Sequence, residues 1–366
     1  MKVTVKEFLN VRVGKPRLNA PCYQYLAPGS ELVVDGNLYP GDKYDGIDTW
    51  MKDEAGNYYW SGGFAESQMQ ISTNIAPWHD YLNLREVWKK GSGDGITIAV
   101  LDKCINIRNN DLADAIDISR SIAYVDDTIF VENDSHGTTM CQLIASRGRN
   151  GYLGVAPKAK IVFYGIAGKD YHDDNYATEY IMKALDEIER YDDIKIINMS
   201  FCTPLLSEYL SSPESNDLQK KIKKLSMKGK IFVAAAGNFD NDFIVYPARF
   251  ENVLAIGAAD YSENKLKISN KVYNRGPEMF CCCLSNNIKL KSDDSSLELD
   301  TSGASAIMAG LIANYLSSDL AAKVTYAEII NKIKSSLMDE NRMPTNSKRI
   351  DNNVGYGFIN PLQLIS

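Results

Sequence analysis

The chain has 366 residues, 45% of them apolar, and a formal net charge of −7. That length can bury a sizeable core, and at about 150 residues per domain it suggests two domains or one large and one small. An acidic chain with no basic run argues against nucleic-acid binding, and no uncharged apolar run is long enough for a transmembrane helix.

Residues 1–10 alternate charged and apolar types and lack the apolar centre of a signal peptide. The seven cysteines are an odd number without a disulfide-scaffold spacing. Together these features point to reduced thiols and a cytoplasmic location. Up to residue 72, short β-like runs at 32–35, 49–52 and 57–60 are punctuated by Pro28-Gly29, Asp35-Gly36, Pro40-Gly41 and Ala55-Gly56. Short strands with frequent turns predict a small all-β barrel over residues 1–72. Polar residues 66–74 read as a linker.

From residue 76 to 366 the pattern changes. Apolar runs of strand length occur at 96–101, 161–164, 194–198, 231–235 and 253–257. Between them, residues 138–145, 176–188 and 217–227 carry helical spacing. Strands alternating with helices predict an α/β fold with a mostly parallel sheet covered on both faces. Residues 291–298 read as a surface loop.

Three histidines are present. His79 and His172 lie in polar stretches and read as solvated. His136 follows Asp134-Ser135 and precedes Gly137-Thr138 at the start of a helical run, where an imidazole can act as a general base or be structural. Asp102 ends the 96–101 strand, and in an open parallel sheet the carboxyl ends of strands border the functional crevice. A carboxylate there can orient an imidazole or simply cap a turn. Ser302 begins a run of small apolar residues that suits a buried helix. It is either an N-cap or a nucleophile. Asn238 ends a strand of small residues, where its amide can donate to an oxyanion.

The order Asp102, His136, Asn238, Ser302 is that of subtilisin, and the surrounding blocks resemble the subtilase family over residues 76–366. The blocks are GITIAVLD at 95–102, His136-Gly137-Thr138, Gly154-Val155-Ala156-Pro157, Ile197-Asn198-Met199-Ser200, VAAAGN at 233–238, Thr301-Ser302 and Gly355-Tyr356-Gly357. The resemblance implies a subtilisin-like three-layer fold and a serine endopeptidase with Asp102, His136 and Ser302 as triad and Asn238 in the oxyanion hole. It also implies that Ser200, Phe201, Ala235 and Gly237 line a cleft for a protein or peptide substrate. No cofactor is read from the sequence itself: many family members bind calcium, so the resemblance leaves calcium open, but no acidic cluster with a ligand pattern is visible. Residues 5–65 loosely resemble a bacterial Src-homology-3-like domain. That resemblance implies a peptide or protein ligand, against the alternative of a structural appendage.

The sequence departs from the family at several points. Lys103-Cys104 follows Asp102 where Ser or Thr and then Gly are usual, and the lysine is expected to compete for the carboxylate. Asp300 replaces a glycine before Thr301-Ser302, where a negative charge is expected to oppose oxyanion formation. Gly303 and Ala306 replace the usual residues of the helix, and Cys202 replaces a glycine, which is expected to narrow the cleft. Cys281-Cys282-Cys283 stands where Ala-Pro-Gly is usual. Neighbouring side chains on a strand face opposite ways, so three consecutive cysteines do not predict a metal site. Three readings follow: a divergent, selective intracellular peptidase, a pseudo-peptidase that binds peptides, and a cysteine hydrolase using Cys104 with His136.

Overall fold

Runs rich in Val, Ile, Leu and Ala build a parallel sheet whose strands are buried on both faces. In the computed structural model, residues 2–6, 8–64, 75–112, 114–125, 135–167, 178–202, 213–269, 271, 273–291, 296–321 and 324–366 are described. The proposed linker at 66–74 and His172 lie outside them. The chain divides into two compact units, Met1–Thr73 and Asn74–Ser366.

The first unit is antiparallel. Its strands are β1 (Lys2–Thr4), β2 (Leu9–Val13), β3 (Cys22–Leu26), β4 (Glu31–Val33), β5 (Tyr39–Tyr44), β6 (Ile47–Lys52) and β7 (Asn57–Trp60). β1 pairs with β4, and the other five form a sheet in the order β3-β2-β7-β6-β5. The core comprises Val3, Val5, Leu9, Val11, Val34, Trp50, Tyr59, Trp60 and Phe64. All-β structure is observed as expected. Among the described residues the five-stranded path is open, with β3 and β5 at its ends, and no pairing closes it into a barrel.

The second unit holds β8 (Thr97–Asp102), β9 (Ile122–Ala123), β10 (Lys160–Gly165), β11 (Ile194–Met199), β12 (Ile231–Ala235), β13 (Val253–Ser262), β14 (Lys265–Ile268), β15 (Met279–Leu284), β16 (Leu337–Met338) and β17 (Phe358–Ile359). Its helices include α1 (Pro77–Tyr81), α2 (Leu84–Trp88), α3 (His136–Ala145), α4 (Thr178–Glu189), α5 (Pro213–Met227), α6 (Asp300–Leu316), α7 (Tyr326–Ser335) and α8 (Pro361–Leu364). The sheet runs β16-β17-β15-β13-β12-β11-β8-β10-β9. Only the β13–β14 and β16–β17 pairings are antiparallel among the described residues. The fold is the expected subtilisin-like α/β arrangement.

Strand alternation sorts the core into two layers. Ile98, Val100, Val233, Cys281 and Cys283 face α3, α6 and α7 in one cluster. Ala99, Leu101, Phe232 and Ala234 face α4 and α5 in the other. On α4, Ile181, Ala184, Leu185 and Ile188 form the three- and four-residue stripe that this packing requires. Helix α6 has no such stripe. It is buried from Gly303 to Tyr315, because small apolar residues all round suit the centre of a domain.

β10 lies on one side of β8 and β11 on the other, so strand order reverses beside β8. The carboxyl ends of strands at such a point open a crevice. Asp102 ends β8, Ser200 follows β11, and Gly237-Asn238 follow β12 after Ala236.

Candidate active site

Asp102 is fully buried, and His136 retains 30% side-chain exposure. His136 Nδ1 lies 3.0 Å from Asp102 Oδ1 and 2.9 Å from Oδ2. An ionised carboxylate only accepts, so Nδ1 carries the proton and Nε2 is left with its lone pair. Among the described residues, Nε2 has no hydrogen-bond partner. Asp102 Oδ1 also accepts the Lys103 backbone N–H at 2.8 Å. Burial disfavours the His136 imidazolium, but the Asp102 charge and hydrogen bond outweigh it. The Lys103 charge subtracts from that gain, and the net shift is upward from the ordinary histidine value.

Local chemistry sets His136 at the first position of α3. Ser135 is the N-cap, its Oγ accepting the Thr138 N–H at 3.3 Å and donating to the Cys104 carbonyl at 2.6 Å. Gly137 lets this turn approach the strand. A Cβ there would stand 2.4 Å from Cys104 O and 2.9 Å from the Phe163 ring.

Ser302 lies in the first turn of α6, and its Oγ donates to the Ser200 carbonyl oxygen at 3.0 Å. It is therefore not an N-cap, since its oxygen takes no helix N–H and Leu299 stands at the cap. Among the described residues, no hydrogen bond joins Ser302 Oγ to His136. Catalytic hydrogen bonds in the unliganded state are commonly long or misaligned and tighten with substrate. Ser200 Oγ donates to the Ser302 carbonyl at 3.0 Å, and Asn198 Nδ2 donates to Ser200 Oγ at 2.8 Å, which ties the helix start to the end of β11.

Asn238 is exposed, and its Oδ1 accepts the Thr301 N–H at 3.2 Å and the Thr301 hydroxyl at 2.6 Å. A backbone N–H can only donate, so this contact fixes the amide orientation and leaves Nδ2 for another acceptor. The Thr301 hydroxyl in turn accepts the Gly237 N–H at 3.2 Å. Gly237 adopts φ +114°, and a side chain there would strike Asn274. Thr301 thus orients Asn238. Its place beside Ser302 is visible in the sequence, but its role depends on a contact 63 residues away.

Ser200, Ala235 and Gly237 are all buried, so a peptide in the cleft would meet their backbone. Phe201 is 4% exposed and packs in the cluster facing α4 and α5, so its ring shapes the core rather than a surface pocket. Cys104 is likewise buried. Asp300 adopts φ +50°, which explains why glycine suits this position and why an aspartate tolerates it at a cost of about 1 kcal/mol. Its carboxylate accepts the Tyr273 hydroxyl at 2.9 Å and lies 3.4 Å from Lys271 Nζ. The charge expected to oppose an oxyanion is therefore partly engaged by these partners.

His79 corrects the expectation of a solvated residue. It is fully buried and stacked on Trp78 at 3.8 Å. Nδ1 accepts the Ala76 N–H at 2.8 Å, and Nε2–H therefore donates to the Leu153 carbonyl at 2.8 Å. Burial pushes its pKa down to about 4. The three consecutive cysteines are buried on β15, with Cys281 and Cys283 on one face and Cys282 on the other. Burial raises the Cys282 thiol to about 12. Among the described residues, no group of three or more His, Cys, Asp or Glu is placed to hold a metal ion. No helix among the described residues is long and apolar enough to cross a membrane.

The model of the subtilase family matches residues 93–357. Subtilisin BL of Lederbergia lenta is 28% identical over 180 residues, covering 49% of this chain and 61% of that protein. The intracellular serine protease of Paenibacillus polymyxa is 24% identical over 262 residues, covering 67% and 76%. The MycP3 protease from the type VII (ESX-3) secretion system superposes with a TM-score of 0.64 at 20% identity, covering 80% of this chain and 88% of that one. The prenylagaramide maturation protease PagA gives 0.60 at 20% identity, covering 77% and 96%. At that identity, the two structures speak for the fold alone. The matched model spans well over half of the sequence, and the chain belongs to the subtilase family.

Proposed function

We propose that this chain is a serine endopeptidase in which Asp102, His136 and Ser302 act as the triad. The observation that carries the reading is the buried Asp102 carboxylate holding His136 Nδ1 at 2.9 and 3.0 Å, at the same end of the sheet as Ser302 and Asn238. Ser302 Oγ bonds to the scissile carbonyl carbon while His136 Nε2 takes its proton. The oxyanion that forms accepts hydrogen bonds from Asn238 Nδ2 and the Ser302 N–H. The C–N bond then breaks, and His136 gives its proton to the leaving amine. Water attacks the acyl-enzyme, with His136 taking the water proton and returning it to Ser302 Oγ. The substrate lies extended along the backbone of residues 200–202 and 235–237.

Substrate entry would free Ser302 Oγ from the Ser200 carbonyl and turn it toward His136. The same hydrogen bond supports a second reading, a pseudo-peptidase whose cleft binds peptides without turnover. We further propose that the chain acts inside the cell on a limited set of proteins, as the name of its Paenibacillus relative suggests. We assign residues 1–72 to a Src-homology-3-like ligand-binding domain and 76–366 to the peptidase domain. For the first domain, support comes from Tyr23 and Tyr25, which are 84% and 66% exposed on β3.

Incubation with an unfolded protein substrate tests the enzyme against the binding module. New peptide termini that vanish in Ser302→Ala support the peptidase. Saturable peptide binding with no cleavage by a folded wild type supports the pseudo-peptidase.

A further inference from the structure

Two adjacent residues outside the triad grip both halves of the site. Tyr273 donates its hydroxyl to Asp300 Oδ1 at 2.9 Å, two residues before Ser302. Asp300 is otherwise held by the Ser285 hydroxyl, which donates to its carbonyl, and by Lys271, an exposed lysine that also pairs with Glu298. Exposed ion pairs are weak, so the tyrosine is the main side-chain anchor of this left-handed turn. Asn274 is 1% exposed and grips the oxyanion loop. Its N–H donates to the Gly237 carbonyl at 3.1 Å, and its Oδ1 accepts the Phe239 N–H at 2.7 Å. Its Nδ2 donates to the Phe243 carbonyl at 3.0 Å. Gly237 and Phe239 flank Asn238.

We propose that Tyr273 and Asn274 form a brace that holds the nucleophile turn and the oxyanion loop in register. Consecutive Cα atoms are separated by about 3.8 Å, so the two grips are carried on one peptide unit with a fixed backbone spacing. Thr301 closes the circuit by bonding to Asn238 and Gly237. Tyr273 is a positioning residue that touches no reacting atom. Its hold depends on the Asp300 carboxylate, so loss of either side chain releases the turn. The inference rests on the peptidase reading for its kinetic consequence and on geometry alone for the brace itself.

The full chain and its Tyr273→Phe, Asp300→Gly and double variants separate the two claims, with Asp300→Asn as the conservative control. The rate of fluorophosphonate labelling and the kcat of Tyr273→Phe are expected to fall about tenfold with KM unchanged, since catalysis is steep in placement. Asp300→Gly should match it, the double variant should be no worse, and Asp300→Asn should stay near wild type because its amide oxygen still accepts the hydroxyl. Amide hydrogen exchange at Thr301 and Phe239 should quicken together in Tyr273→Phe. Unchanged labelling and exchange in a folded Tyr273→Phe, or effects that multiply in the double variant, would overturn the brace. If wild type takes no label, the peptidase reading falls, and exchange alone decides the brace: faster supports it and unchanged overturns it. If Tyr273→Phe does not fold, Asp300→Gly carries the same comparison.

Discussion

The regions around His79 and His136 use the same side chain to opposite ends. At α1, His79 meets only backbone and aromatic surface, so burial holds it neutral with a pKa near 4. At α3, His136 meets a buried carboxylate, which reverses the effect of burial and favours the imidazolium. A ring that cannot gain a proton near neutrality is a structural strut. A ring poised to gain one, with no partner on Nε2 among the described residues, suits the role of a general base. The difference lies in one carboxylate, and both regions can be perturbed separately.

The largest expected effect is on the His136 side. Ser302→Ala should lower kcat by about 10⁶-fold, and adding His136→Ala should cost little more if the proposed triad acts as a unit, behaviour already known for subtilisin. Asp102→Asn removes the carboxylate that fixes the tautomer and should lower kcat by about 10⁴-fold. If instead it leaves activity near wild type, the contrast between the two histidines has no catalytic meaning. Asn238→Ala should cost about 10² to 10³-fold in kcat, the range known for one oxyanion donor in a subtilisin. Steady-state kinetics on a chromogenic peptide reads all three.

A smaller effect sharpens the comparison through pH. In the proposed mechanism activity needs neutral His136, so the rate should rise with pH through a midpoint above 6.5, its upward-shifted value. For stability the two windows are distinct. His79 has a depressed folded pKa, so the unfolded chain binds protons first. Stability should fall as pH drops from 6.5 to about 4. The ceiling of that loss is about 3 kcal/mol. His136 has a raised folded pKa. Its contribution is fully present below 6.5 and is lost as pH rises through the folded value. Melting curves should therefore lose the acid slope in His79→Gln and the alkaline slope in His136→Gln. Persistence of the acid slope in a folded His79→Gln would show that another group carries it.

The buried strands were legible because parallel strands covered on both faces read as unbroken apolar runs, as at 231–235. The region around Ser302 was legible because a charge-free run of small residues has few uses besides a central helix. His79 was not, because Pro77-Trp78-His79-Asp80 reads as polar surface. Its burial depends on the Leu153 carbonyl, 74 residues away. Asp300 was read as a bare charge, since nothing local announces the Tyr273 hydroxyl that binds it across 27 residues. Phe201 was placed in the cleft with its neighbours, but its ring is buried in the cluster facing α4 and α5. In each case the missing information was a long-range partner, which periodicity and local motif do not encode.

The most direct test of the central claim is reaction of the purified full chain with a fluorophosphonate probe, followed by mapping of the adduct. The account predicts a single phosphonylated residue, Ser302, labelled faster as pH rises above 6.5 and lost in Ser302→Ala. A well-folded wild type that takes no label, or takes it equally in Ser302→Ala, would contradict it.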